Sequence, residues 1–211
     1  MVQLRGIKGK ELPMKFIKEN ISDILKLYVN QIGIVIFTLA LVYPLSTIEV
    51  KTFENLWDLL ASIVAIIFYY VLLYNVLWEI GAKDRIRVDS GRYERTPAKG
   101  ALLGICANIP NLIFSLPLFV FTVIYVTTGA CAKVYAVFNL ITRFHETLYM
   151  GTVLSICDGF GKQDFREPIQ IVISALFLLI PFVSALITHF SYVLGYKEIR
   201  LFGTNPSKKK R

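Results

Sequence analysis

His145 and Cys157 are the side chains of this sequence whose types could make a nucleophile and its base. A thiol is activated by a histidine beside it in space rather than in sequence, and a third group must orient the imidazole. No orienting group stands out, and the competing reading makes Cys157 only a small apolar filler. Glu146 follows His145, but a helical zinc site would need a second histidine four residues after the first, so no metal is expected. Phosphate-cradling loops, dinucleotide fingerprints and CxxC pairs are missing too, and no cofactor is implied. Asn108 and Asn111 offer different chemistry. They share one apolar run with Pro110 and Pro117, and a proline there frees helix carbonyls that can line a polar path, as in transporters with broken helices. The competing reading is packing: the kink shapes the bundle, and the asparagines bond neighbouring helices for about 0.6–2 kcal/mol each.

The elements that would carry these residues follow from where charge is missing. Hydrophobic residues make up 55% of the 211 residues and charged ones 18%. Ordinary globular domains have about 45–50% and about 25%. The mean hydropathy is +0.57. Charge-free runs cover 27–48, 59–78, 100–132 and 168–196, which is 22, 20, 33 and 29 residues. A helix rises about 1.5 Å per residue, so about 20 apolar residues cross a hydrocarbon layer about 30 Å thick. Each run is long enough. A soluble fold, a disordered chain, a disulfide scaffold and a barrel of alternating strands are excluded. The expected fold class is all-α, an integral membrane four-helix bundle.

The net charge of +8 matters less than its distribution, because Lys and Arg are retained on the cytoplasmic side. Six basic residues precede the first run, six lie between the second and third (Lys83, Arg85, Arg87, Arg92, Arg95 and Lys99), and six follow the fourth. Four crossings place these 18 of the 23 on one side, with both termini cytoplasmic. A fifth crossing at 134–157 would carry Arg143, His145 and Glu146 at its centre, where each charge costs about 2.5–3.5 kcal/mol. That segment therefore reads as an extracytoplasmic helical element between spans three and four, two short helices bent at 143–147 that lie on the membrane surface or dip into it. Outside the cell, Cys131 and Cys157 could form a disulfide. Trp57 and Trp78 bracket span two, Tyr28 and Tyr43 flank span one, and Tyr192 and Tyr196 mark the inner end of span four, as interfacial aromatics do.

In chain order these readings give an amphipathic interfacial helix at 12–27 and spans at 27–48, 57–79, 97–128 and 168–196. A basic cytoplasmic loop falls at 81–96, the outer or re-entrant element at 134–157, and a basic cytoplasmic tail at 197–211. The polar stretch before span one is unlike a cleaved signal peptide. Met14, Ile17, Ile21, Ile24, Leu25 and Tyr28 recur at helical spacing, which predicts a helix lying on headgroups before the chain turns into the bilayer; docking on a partner protein is the rival. Lys15 and Lys18 there, with Arg85, Arg87, Arg92 and Arg95 of the loop, are the expected contacts to anionic lipid, each adding about 1 kcal/mol. Nucleic acid is not implied. Alternation of Arg85, Ile86, Arg87 and Val88 before Asp89, Ser90 and Gly91 predicts a small hairpin or tight turn. Gly100 with Gly104, and Ala61 with Ala65, have the spacing that lets helices approach closely, as seams within the bundle or as a dimer face. Glu79 should pair with Lys83, and His189 should be a hydrogen-bonded packing residue.

The stretch EIGAKDRIRVDSGRYERTPAKGALLGICANIP at 79–110, together with SYVLGYKEIRL at 191–201, resembles small multi-pass membrane proteins of Gram-positive, clostridial-type bacteria. The resemblance implies residence in a bacterial plasma membrane and carries no activity to any residue. Three functional readings follow. The first is a non-catalytic accessory or assembly subunit of a membrane complex, beside a partner membrane protein or a second copy. The second is a transporter or channel component whose kinked third span lines a polar path with Asn108 and Asn111. The third is a membrane-embedded thiol enzyme using His145 and Cys157.

Overall fold

The computed structural model describes residues 11–46, 54–92, 94, 96–158 and 168–201. Among the described residues there are seven helices and no strand: α1 (Glu11–Ser46), α2 (Glu54–Asp89), α3 (Lys99–Ala107), α4 (Ile109–Thr128), α5 (Ala132–His145), α6 (Thr147–Asp158) and α7 (Ile169–Tyr196). Four are long and apolar enough to cross a membrane, over Met14–Leu41 in α1, Leu59–Asp89 in α2, Ile109–Thr128 and Ile169–Tyr196. Their outer faces are apolar, with Ile36, Ile67, Leu116 and Leu186 all more than half exposed, while Gln31, Ser62, Asn111, Thr122 and Thr188 are buried. Water would favour the reverse. Lipid tails are as apolar as leucine, so this arrangement suits a hydrocarbon solvent.

α1 is one helix of 36 residues, with no turn between the amphipathic stretch and the span that follows. Asn20, Ile24, Leu27, Gln31, Ile34 and Thr38 are buried at spacings of three and four, so a single stripe runs through both segments. Met14, Ile21 and Leu25 face outward instead. α2 also runs further than its apolar pattern, to Asp89, so Arg85 and Arg87 stand on a helix; of the two expected forms the hairpin does not form, and the tight turn does, at Ser90 and Gly91. Pairs four residues apart, Glu79 with Lys83 at 3.3 Å and Arg85 with Asp89 at 3.5 Å, match helical spacing and outweigh a four-residue alternation. The chain turns after it, with Gly91 at φ 69° and Arg92 exposed. Beyond α7, residues 197–201 fold back on α2: the Trp78 indole donates to the Ile199 carbonyl at 2.8 Å, and Arg200 lies 4.4 Å above its ring. Residues 47–53, Tyr93, Arg95 and the tail past Leu201 lie outside the described residues, as do the side chains of Tyr43 and Trp57.

The third charge-free run is broken in two at Asn108, which is 3% exposed. Its N–H closes α3 on the carbonyls of Gly104 and Ile105, and its carbonyl opens α4 by accepting the Leu112 N–H, all at 3.1 Å. Pro110 sits in the first turn of α4, where a missing N–H leaves nothing unpaired. α3 then lies on α7 through the glycine seam: a Cβ on Gly104 would strike the Thr188 hydroxyl and the Ala185 backbone. Gly100 and Gly104 are therefore an internal seam.

One ion pair fastens this corner. Lys99 Nζ lies 2.7 Å from Asp84 Oδ2, with the two side chains 4% and 2% exposed. The Tyr192 hydroxyl donates to the same oxygen at 3.0 Å, so α2, α3 and α7 meet on one carboxylate. Lys99 and Tyr192 are thus core residues, not members of the basic face and the aromatic belt. Removing one partner of a buried pair costs about 3–5 kcal/mol, because the other charge stays buried. Asp84→Asn should lower the thermal unfolding midpoint in detergent strongly, and Asp84→Asn with Lys99→Met should recover part of the loss; a single variant as stable as the native chain would refute this role.

Candidate functional site

α4 passes into α5 through a turn with Gly129 at φ 74° and Cys131 at φ 60°, and α5 then runs back along α4. Three ring pairs set the register: Tyr125 with Tyr135 at 4.9 Å, Phe121 with Phe138 at 5.6 Å, and Phe114 with His145 at 5.2 Å. The two helices are antiparallel. From Thr128 back to Phe114 is about 21 Å of helix, so the end of α5 reaches most of the way down α4. At Glu146 the chain reverses, and α6 returns along α2. Ser62 Oγ donates to the Leu148 carbonyl at 2.5 Å and accepts from the Thr152 N–H at 3.2 Å, and the hydroxyls of Tyr70 and Tyr149 are 2.9 Å apart. Ala61 and Ala65, on either side of Ser62 in sequence, are buried.

The tip of this helical hairpin is Glu146, 0% exposed. Its backbone is satisfied: the N–H bonds the Thr142 carbonyl at 2.8 Å, and its own carbonyl accepts the Tyr149 N–H at 2.9 Å. Its carboxylate is not, since neither oxygen has a hydrogen-bond partner among the described residues. Tyr69, Tyr70 and Tyr149 are close enough for Glu146 to act on them electrostatically. Tyr69 and Tyr70 fall at the middle of the charge-free run 59–78, which places the tip at mid-length of α2's apolar stretch. Burial pushes the Glu146 carboxyl up to about 8 and the His145 imidazole down.

Further buried atoms near this level also lack partners among the described residues: Thr142 Oγ1 and His145 Nδ1 on α5, and Asn111 Oδ1 and Ser115 Oγ on α4. The structure brings Asn108 and Asn111 together, Asn111 Nδ2 donating to Asn108 Oδ1 at 3.2 Å while Asn108 Nδ2 donates to the Gly104 carbonyl at 2.8 Å. It does not bring His145 to Cys157. α6 separates them by about 15 Å along its axis, and Cys157 is fully buried. The thiol–histidine pair is therefore not formed. Nor is the disulfide, since Cys131 is an exposed thiol and Cys157 a buried one. His189 Nδ1 is buried without a hydrogen-bond partner among the described residues, against the expectation of a bonded packing residue. Lys15 and Lys18 are exposed on α1, while Arg85 and Arg87 share their charge with Asp89 and Asp84. No group of three or more metal-ligating side chains occurs among the described residues.

Sequence reasoning missed the burial of Glu146. The signal was present as a single stripe of Tyr135, Thr142, Glu146, Tyr149 and Val153, all buried and spaced at helical intervals on both sides of the bend. No protein-family model matches the chain, and no curated protein or solved structure matches it.

The Glu146 shift has a consequence for stability with a definite sign. The unfolded carboxyl titrates near 4.5 and the folded one near 8, so between those values the folded state holds more protons and stability falls as pH rises. His145, lowered from 6.5, acts in the opposite direction below that value. The unfolding midpoint in detergent should therefore drop from about pH 6.5 to about pH 8, and Glu146→Gln should flatten that drop. A native profile that is level or rising over this interval would contradict the assignment.

Proposed function

We propose that this chain is a transporter or channel component of a bacterial plasma membrane, with both termini cytoplasmic and the α5–α6 hairpin dipping into the bilayer from outside. The observation that carries the reading is the Glu146 carboxyl: fully buried, unpartnered among the described residues, and level with the middle of α2's apolar stretch. A subunit that only braces a complex gains nothing from such a group, which costs stability wherever it stays ionised. Ionisable residues inside a membrane mark solute and proton paths. The break at Asn108 supports the same reading, because interrupted helices at membrane depth occur where they line a protein-covered site. Lys15, Lys18, Arg85, Arg87 and Arg92 on the inner side fit contact with anionic headgroups.

Orientation is tested at Cys131, the exposed thiol of the α4–α5 turn. A membrane-impermeant maleimide should label intact cells and fail on Cys131→Ser; labelling that requires opened cells would invert the topology. Transport is tested in vesicles holding the purified full chain, on a solid-supported membrane, with jumps of sodium, potassium and proton concentration. At least one jump should give a transient current, and Asn111→Leu should suppress it while elution and helix content stay native. Silence to all three from a folded protein, with a second membrane protein retained through mild-detergent purification, would return the chain to an accessory role.

A further inference from the structure

We propose that the ion handled by this chain is the proton, bound and released by the Glu146 carboxyl at the tip of the α5–α6 hairpin. This rests on the transport reading above and names its substrate.

The surroundings of the carboxyl select the ion. α1 beyond residue 27, α4 and α7 are free of Asp, Glu, Lys and Arg, so these helices offer no charge to it; His189 of α7 lies instead against Gly100 at the end where α3 begins. The titratable groups that face it from other elements are hydroxyls, Tyr69 and Tyr70 from α2 and Tyr149 from α6. On its own hairpin stand Arg143, whose Nε is engaged by Asn139 Oδ1 at 2.8 Å, and His145, whose ring lies on Phe114. A hard metal cation wants several oxygen ligands, commonly carboxylates, and no group of three or more His, Cys, Asp and Glu side chains that could hold one occurs among the described residues. A lone carboxylate in a low-dielectric interior is neutralised with least rearrangement by a proton: the carboxylate oxygen and H⁺ form one O–H bond, and nothing else breaks.

The geometry also supplies ways in and out. A groove of about 420 Å³ runs along α5, lined by Tyr125, Tyr135, Asn139 and Arg143, and so extends from the α4–α5 turn to within one helical turn of the tip. On α4, the unpartnered oxygens of Asn111 and Ser115 continue polar character toward the break at Asn108. Beside the carboxyl, either hydroxyl of the Tyr70–Tyr149 pair can be the donor, so the pair can reverse its direction as a proton passes.

Two readouts on the full chain in vesicles test this. Infrared spectra taken from neutral to alkaline pH should show a protonated carboxylic-acid carbonyl band that fades as pH rises. That band should be missing in Glu146→Gln, which keeps the neutral shape of the protonated acid, and displaced but present in Glu146→Asp. Proton uptake driven by a potassium diffusion potential and read by a trapped pH dye should fall by about tenfold or more in Glu146→Gln, with partial recovery in Glu146→Asp. A native spectrum identical to that of Glu146→Gln, or uptake that survives this substitution, would overturn the proposal. Sodium or potassium currents without proton uptake would overturn it as well, while leaving transport intact. A band that behaves as expected in a chain that moves no ion would uphold the proton site and overturn the transport reading.

Discussion

Hydrocarbon offers a peptide group nothing to hydrogen-bond, so a chain dissolved in it must close its N–H and C=O groups within its own helices, and a break survives only where protein covers it. Two interior breaks here meet that condition. Asn108 is 3% exposed and Glu146 0%, and each keeps its backbone paired across the interruption. At Asn108 the side chain helps, its Nδ2 donating back to Gly104. At Glu146 the Thr147 hydroxyl does similar work by donating to the Arg143 carbonyl at 2.8 Å. The backbone is thus closed at both places, and what remains open belongs to side chains.

That distinction separates ordinary polar residues of the interior from the few at the candidate site. Thr38, Thr122 and Ser191 are buried, yet each hydroxyl donates to the carbonyl four residues earlier, so each satisfies itself on its own helix. Asp84 and Lys99 satisfy each other, and Tyr192 adds a third helix to the pair. Such groups pack helices together and need no ligand. Buried side-chain atoms of Asn111, Ser115, Tyr135, Thr142, His145, Glu146, Ser184 and His189 are the exceptions among the described residues; the first six fall on α4, α5 and the bend that follows α5, and the last two on α7. Unpaired polar atoms in a buried site cost free energy, which is why six such residues on the α4–α5 pair and its bend favour a functional reading over a structural one.

The four spans were legible because charge spacing alone measures the length of an apolar helix, and the Glu79–Lys83 pair because helical spacing fixes its distance. Asp84 was hidden for the opposite reason. It sits in a cluster of basic residues that reads as a solvated loop, and only the continuation of α2 to Asp89 turns it toward Lys99. The continuity of α1 was hidden as well, since its buried stripe includes Asn20 and Gln31, which apolar periodicity skips. For the hairpin, the rings recur at helical spacing on each helix, Phe114, Phe121 and Tyr125 on α4 and Tyr135, Phe138 and His145 on α5, but spacing within a helix does not say which ring meets which across the turn.

Glu146 shows why counting charges misleads at such a site. Entered as a full charge, it argues against a fifth crossing at 134–157, because an ionised group at mid-depth is expensive. Burial with no counter-charge removes the premise: the neutral acid is the favoured form, and a neutral carboxyl at a covered bend carries far less of that penalty. Position and protonation are then linked by necessity. If the hairpin is packed more favourably with the acid neutral, loss of the proton must weaken that packing by the same free energy, and anything that draws the tip toward water must lower its affinity for the proton. The α5–α6 hairpin, joined to α4 by stacked rings and to α2 by the Ser62 and Tyr70 hydroxyls, is the element on which that linkage would act.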